Sequence, residues 1–321
     1  MRILRLAGET MKLVYGHTDS IYVQMPMEQT EDTLEILNNH VREKFPNLLG
    51  LDEHPVNLEF EKYYSSLGVG CTKNRNAGLI TWKDGKYLDE EEFVMTGFTA
   101  KRMTITKLAR DLQMEVLKMW VNGIPKDVMT LYLQTEYNEV LKGTDFDVDP
   151  MHWYKLLANR SRYRSERFKY KCASCGREYS MQEAIHQHKI TTSYSFCSKC
   201  GEELDLVTLV GKRPSIGSGV EGVIWYNQHH DNKITDSYWY VRVRIPVDGL
   251  KYINPVTGES KLPTYISAPS LNDLLDEGYP IDFTHYAESI VKKAQPVYDA
   301  MGWDISAISK DTNQKTLDAW W

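Results

Sequence analysis

Apolar and polar positions along the chain follow two rhythms. Lys12-Leu13-Val14 and Ile21-Tyr22-Val23 flank the polar stretch Tyr15-Gly16-His17-Thr18-Asp19-Ser20. Residues 12–25 therefore predict strand, tight turn, strand, with Gly16 permitting the turn. From 30 to 45 the apolar residues fall at Leu34, Leu37, Val41 and Phe45. That is the spacing of one helix face, with Thr30 as its N-cap. Residues 56–72 alternate in part and predict a strand, and 79–88 predict a hairpin around Asp84-Gly85. Ile105, Leu108, Ala109, Leu112, Val116 and Met119 line one face of a helix that Gly123 stops, and Pro125 opens another to about Leu141.

Beyond that point the pattern predicts helix through 123–170, ending in a basic aromatic run over 160–171 in which Tyr163, Phe168 and Tyr170 interleave with Arg and Lys. Such a run suits contact with a nucleic-acid backbone and base stacking, and suits packing against a neighbouring module equally well. Residues 220–245 (GVIWY, SYWYVRVRI) predict a return to strand, and 283–301 predict helix. No internal repeat and no low-complexity segment interrupts the order. The fold class expected is α+β, its first part an antiparallel sheet with helices.

A chain of 321 residues predicts two or three domains. Hydrophobic residues at 42% and charged residues at 26% are those of a globular protein. No apolar run approaches the roughly 18 to 20 residues of a membrane span. The N-terminus carries Arg2 and Arg5 but no sustained apolar core, so it makes a poor signal peptide and a cytoplasmic location is expected. A net charge of −6 means that nucleic-acid contacts must come from local basic patches.

The cysteines add a metal. Cys172-x2-Cys175 and Cys197-x2-Cys200 are 21 residues apart, each followed by glycine. The two-residue gap lets both sulfurs of a pair reach one ion, and the glycine lets the backbone fold back toward the thiolates. Two such knuckles make a closed four-cysteine zinc site, structural rather than catalytic. His186 and His188, between the pairs, are then surface residues, and Cys71 is expected to be a buried thiol.

The stretch Tyr15–Ser20 resembles YGDTDS, the third palm motif of family B DNA polymerases. Further blocks follow in that family's order. Leu58-Glu59-Phe60-Glu61-Lys62 resembles its LEFEK strand. Thr72-Lys73-Asn74-Arg75-Asn76-Ala77-Gly78 is similar to its TKKRYAG segment, which touches primer–template DNA. Gly97-Phe98-Thr99-Ala100-Lys101-Arg102 resembles the next block, and 281–303 resembles the last thumb helix with its Asp-x-x-x-Tyr opening. The exonuclease domain, the Asp-x-x-Ser-Leu-Tyr-Pro palm motif and the Lys-x3-Asn-Ser-x-Tyr-Gly finger helix are not in this sequence. The resemblance therefore implies the small subunit of a split polymerase, as in some archaea, or in an archaeal virus. It would hold the C-terminal palm over 1–122, a mostly helical thumb over 123–305 with a zinc ribbon at about 171–205, and a tail at 306–321.

The resemblance implies template-directed DNA synthesis with a large subunit that brings the missing motifs. Asp19 would hold Mg²⁺ from this half, supported by Glu61 and Glu59. His17 departs from the family's aspartate, and imidazole is a poor Mg²⁺ ligand. Three consequences stand open: a secondary position has changed and Asp19 still works, the site is weakened or prefers Mn²⁺, or the palm is inactive. Lys73, Arg75, Lys101 and Arg102 are the implied DNA contacts, with Asn74 in place of a second basic residue. Gln314, Leu317, Trp320 and Trp321 fit Q-x-x-aliphatic-x-x-aromatic-aromatic and resemble a sliding-clamp-binding peptide. The alternative is a non-catalytic zinc-ribbon DNA-binding or clamp-tethering factor on a degenerate palm. Either would be nucleoid-associated, with no membrane partner.

Overall fold

A computed structural model describes residues 12–17, 20–44, 54, 56–143, 150–163, 169–172, 174–180, 199–201, 204–207, 217–244, 250–254 and 258–309. In chain order the elements are β1 (Lys12–His17), β2 (Ser20–Gln24), α1 (Thr30–Lys44), β3 (Lys62–Val69), β4 (Asn76–Lys83), β5 (Lys86–Thr96), α2 (Lys107–Val121) and α3 (Lys126–Lys142). Then follow α4 (Pro150–Leu157), β6 (Asn159–Arg162), β7 (Lys169–Cys172), β8 (Glu178–Ser180), β9 (Leu204–Val207), α5 (Ser218–His229) and β10 (Ser237–Arg242). The last are β11 (Tyr252–Ile253), β12 (Ser260–Lys261), β13 (Tyr265–Ala268), α6 (Leu271–Asp276) and α7 (Phe283–Met301). The mixture of helix and sheet is the α+β class expected.

The chain forms two compact units. The first comprises Met1–Phe98, Met114–Met129 and Ala294–Ile305; the second comprises Thr99–Gln113, Thr130–Lys293 and Ser306–Trp321.

In the first unit β1 and β2 form the antiparallel hairpin that the sequence predicts, with Gly16 opposite Ile21 and His17 opposite Ser20. Helix α1 buries Leu37 and Val41, two of its periodic positions. Thr30 is its first residue, not an accepting N-cap: its hydroxyl donates to the Met27 carbonyl at 2.7 Å. The predicted strand over 56–72 begins only at Lys62. Ahead of it, Asn38 of α1 donates to the Leu58 carbonyl at 2.9 Å and accepts from the Leu58 N–H at 2.7 Å. A side-chain amide thus satisfies this backbone in place of a neighbouring strand. Strands β3, β4 and β5 make an antiparallel sheet in that order. The β4–β5 turn carries Asp84 at φ 51° and Gly85 at φ 86°, the paired positive dihedrals of a tight hairpin. The sheet buries Ala77, Ile80 and Met95, and the unit's helical segments bury Val116, Leu117, Val121, Val297 and Tyr298. The Trp120 ring lies so close to Gly68 that a Cβ there would be 2.7 Å from it.

The second unit is built around the antiparallel sheet β13-β10-β6. Helix α5 packs on β13 through Gly222, where a Cβ would stand 2.4 Å from Ser267 Oγ and 2.9 Å from the Tyr265 carbonyl oxygen. This helix corrects the strand predicted at 222–226. The run Gly222-Val223-Ile224-Trp225-Tyr226 is apolar on every side because Val223, Ile224, Trp225 and Tyr226 are all buried. Short, fully buried apolar runs carry no periodicity to separate helix from strand. The helix predicted through 160–171 is also corrected: Asn159–Arg162 is an edge strand and Lys169–Cys172 the centre of the small sheet β8-β7-β9. Its alternating Arg-Ser-Arg pattern is that of a strand. Helix α7 starts at Asp282, which accepts from the His285 N–H at 3.1 Å and pairs with Arg242 at 2.9 Å. Tyr286, one turn on, accepts from the Arg242 N–H at 2.8 Å. The Asp-x-x-x-Tyr opening thereby fixes the helix to β10.

Candidate nucleic-acid and metal sites

The β1–β2 hairpin is fastened to β3 within the first unit. Tyr15 lies 5.5 Å from Tyr22, which lies 6.0 Å from Tyr64, and Tyr63 donates from its hydroxyl to the Met25 carbonyl at 3.0 Å. Burial pushes the Tyr64 phenol up to about 12, with Tyr22 and the carboxylates of Glu61 and Glu92 adding to it. The ring is thus an uncharged packing element at any ordinary pH. His17 belongs to β1 by its backbone, and Asp19 lies outside the described residues.

The turn between β3 and β4 holds the residues similar to TKKRYAG. It is closed by the Gly70 N–H donating to the Arg75 carbonyl at 2.8 Å. Asn74 has φ 63°, a left-handed conformation that asparagine tolerates far better than lysine. Its N–H donates to the Tyr15 hydroxyl at 3.0 Å, and that hydroxyl donates to Asn74 Oδ1 at 3.3 Å. On another side Gly97 (φ 77°) abuts the turn, leaving no space for a methyl group. Asn74 is therefore a link to the YGHTDS strand rather than a charge offered to DNA. Lys73 is exposed and Arg75 half-buried on the same turn. Asn76, where the family has an aromatic, is buried at the start of β4.

The structure brings Lys73, Asn74, Arg75 and Tyr15 together. Lys101 and Arg102, both exposed, belong to the second unit, in the turn closed by the Arg102 N–H on the Thr99 carbonyl. Glu59 and Glu61 are exposed, and Glu61 pairs with Lys62 at 3.5 Å. Among the described residues neither joins a group able to hold a metal ion. Tyr15, Asn74 and Gly97 as one contact were missed from the sequence, where only the unusual Asn at a basic position marked the place. Cys71 is exposed on this turn, not buried as expected, because β3 has already ended at Val69.

The zinc expectation meets a fitting donor set. Cys172 ends β7, Cys175 follows in the turn, and Cys200 lies beside Gly201. The three sulfurs all lie within 4.8 Å of one another, and Cys172 Sγ is 3.3 Å from Cys200 Sγ. The Cys175 N–H donates to Cys172 Sγ at 3.4 Å and is the foremost cause holding that thiol below its usual range. Gly176 (φ 70°) and Gly201 (φ 77°) supply the left-handed turns that both knuckles need. Cys197, the fourth ligand expected, lies outside the described residues. These residues would hold Zn²⁺, which supplies cross-linking of the three short strands. Structural zinc sites contribute about 10 kcal/mol or more in small modules. Chelation or Cys172→Ser is therefore expected to open β7–β9 to protease while α5 and α7 stay protected. Metal analysis with limited proteolysis checks this; an unchanged cleavage pattern in zinc-free protein would refute it.

A family model, that of DNA polymerase family B, matches residues 5–297. The chain belongs to DNA polymerase family B. Compared one to one, no curated protein matches it. As a family B polymerase domain it is a DNA-binding nucleotidyltransferase domain, and enzymes of this family use divalent metals. None of its described helices is long and apolar enough to cross a membrane.

Proposed function

We propose that this chain acts as the small subunit of a split family B DNA polymerase, giving one metal-binding carboxylate, a duplex-contacting turn and a thumb to synthesis with a large subunit. The observation that carries the reading is the Tyr15–Asn74 contact. It joins the strand of the YGHTDS motif to the turn bearing Lys73 and Arg75, the two motifs that the family uses beside the primer terminus. Phosphoryl transfer draws on divalent cations that clamp the attacking and leaving oxygens. In this chain Asp19 would hold Mg²⁺, or Mn²⁺ if His17 alters the site, with Glu61 and Glu59 as supporting acids. Lys73 and Arg75 in the first unit, and Lys101 and Arg102 in the second, would each neutralise phosphates. The segment 1–122 serves as palm and 123–305 as thumb with its zinc ribbon. Gln314, Leu317, Trp320 and Trp321, outside the described residues, would plug into a sliding clamp. The complex would work at the nucleoid of an archaeon or in an archaeal virus.

His17 favours a second reading: a non-catalytic DNA-binding factor that tethers a clamp. Purification of the chain from its native cells, with mass spectrometry of the chain and of whatever accompanies it, separates the two. A companion with the exonuclease domain and both missing motifs, and primer extension restored on mixing, is the expected result. A clamp recovered without such a companion, the chain itself being no longer than this sequence, favours the tether.

A further inference from the structure

We infer that the β6–β10 surface of the second unit is a binding site for single-stranded DNA, separate from the turn at 70–75. In the antiparallel pairing of these strands Arg160 stands directly opposite Trp239, and Arg162 opposite Ser237. Opposite residues share a face, and so do residues two apart. Arg160, Arg162 and Trp239 therefore lie on one face of the sheet. On the other face Ser161 and Asn159 bond the Tyr238 and Tyr240 side chains, which lie against Gly219 of α5. On the shared face Val241, Ile266 and Ala268, farther from β6, are buried, so its open part lies along β6.

Both arginines are exposed and Trp239 is half-exposed. Among the described residues neither arginine forms an ion pair, Asp236 beside β10 included, and Trp239 makes no ring contact. Some other cations of the fold are paired internally: Arg242 with Asp282, Lys83 with Glu92 and Lys261 with Glu259. β6 is moreover an edge strand. A flat indole directly opposite one guanidinium group and diagonal to a second, beside an edge strand, fits a ligand that alternates planar rings with negative charges. Single-stranded nucleic acid has that chemistry: bases stack on aromatic side chains while phosphates meet arginine. A duplex presents phosphates but keeps its rings stacked inside, so it has no use for Trp239.

Binding of the full chain to a labelled oligothymidylate, followed by fluorescence anisotropy, tests the inference. Trp239→Ala is expected to weaken it about tenfold, the loss of one stacked base, and Trp239→Phe to retain most of the affinity. Arg160→Gln with Arg162→Gln should lower the slope of log K against log salt by about 1.4, two phosphates on a single strand. All three proteins should bind blunt duplex as before, through the turn at 70–75. Equal losses on single strand and duplex, an unchanged salt slope, or displacement of the oligonucleotide by polyglutamate as readily as by unlabelled strand would each overturn the inference. The double arginine variant changes only exposed side chains, so it remains decisive even where Trp239→Ala fails to fold. The readout is binding, independent of whether the chain serves in synthesis.

Discussion

Asp19→Ala is expected to abolish primer extension by the assembled polymerase while leaving DNA binding intact. On the proposed reading Asp19 is the carboxylate that this chain brings to the cations, and no other acid near it in sequence can replace it. A lost metal clamp removes several kcal/mol of transition-state stabilisation. At about 1.4 kcal/mol per tenfold, that is about a thousandfold or more in rate. Lys73 and Arg75 are untouched by the change, so affinity for primer–template should hold. Single-turnover extension beside anisotropy on the same complex separates the two quantities. Full activity in Asp19→Ala would remove the polymerase role from this chain and leave the tether. His17→Asp then reads the neighbouring position: a rise in Mg²⁺-supported activity means a weakened site, no change means a secondary one.

Gly97→Ala is expected to be the most damaging single methyl addition in the first unit. The added Cβ would stand 1.8 Å from the Asn74 carbonyl oxygen, and the residue has φ 77°, where an L side chain is strained. The neighbour is backbone, so relief requires moving the turn that carries Lys73 and Arg75. A cost of about 3 kcal/mol or more belongs to this class of change, and each kcal/mol lowers Tm by about 3–5 °C in a unit of this size. Thermal melting should show a fall of about 9–15 °C, accompanied by weaker duplex binding. Gly85→Ala is the control: it has a similar φ, 86°, with nothing within 4 Å, so only strain remains. Its expected cost is about 1–2 kcal/mol. Equal losses in the two variants would mean that the close approach of Gly97 to Asn74 contributes nothing.

The sequence rendered well wherever one local signal dominated. Helices α1 and α2 follow 3.6-residue apolar periods, Gly123 and Pro125 mark the break between α2 and α3, Asp282 opens α7, and the β4–β5 hairpin follows Asp84-Gly85. Thiol spacing alone foretold that Cys172, Cys175 and Cys200 would converge. It failed where burial was complete or the partner distant in sequence. The run at 222–226 is covered on all sides and shows no period. Leu58 reads as strand because apolar and polar residues alternate around it, yet its backbone partner is the side chain of Asn38. Asn74 read as a lost charge, because nothing local shows that Tyr15 lies beside it. The clamp-binding role proposed for Gln314, Leu317, Trp320 and Trp321 and the metal role proposed for Asp19 rest on motif likeness alone.

The discontinuous make-up of the first unit has a temporal side. Its sheet is complete at Phe98, but Ala294, Val297 and Tyr298, all fully buried, arrive in its third segment. At about 5–20 residues per second, a ribosome needs about 10–40 s to travel from one to the other. For that time the first unit lacks part of its interior and depends on whatever shields exposed apolar surface in the cell. Within this unit, what is made before Phe98 waits for what is made after Lys293.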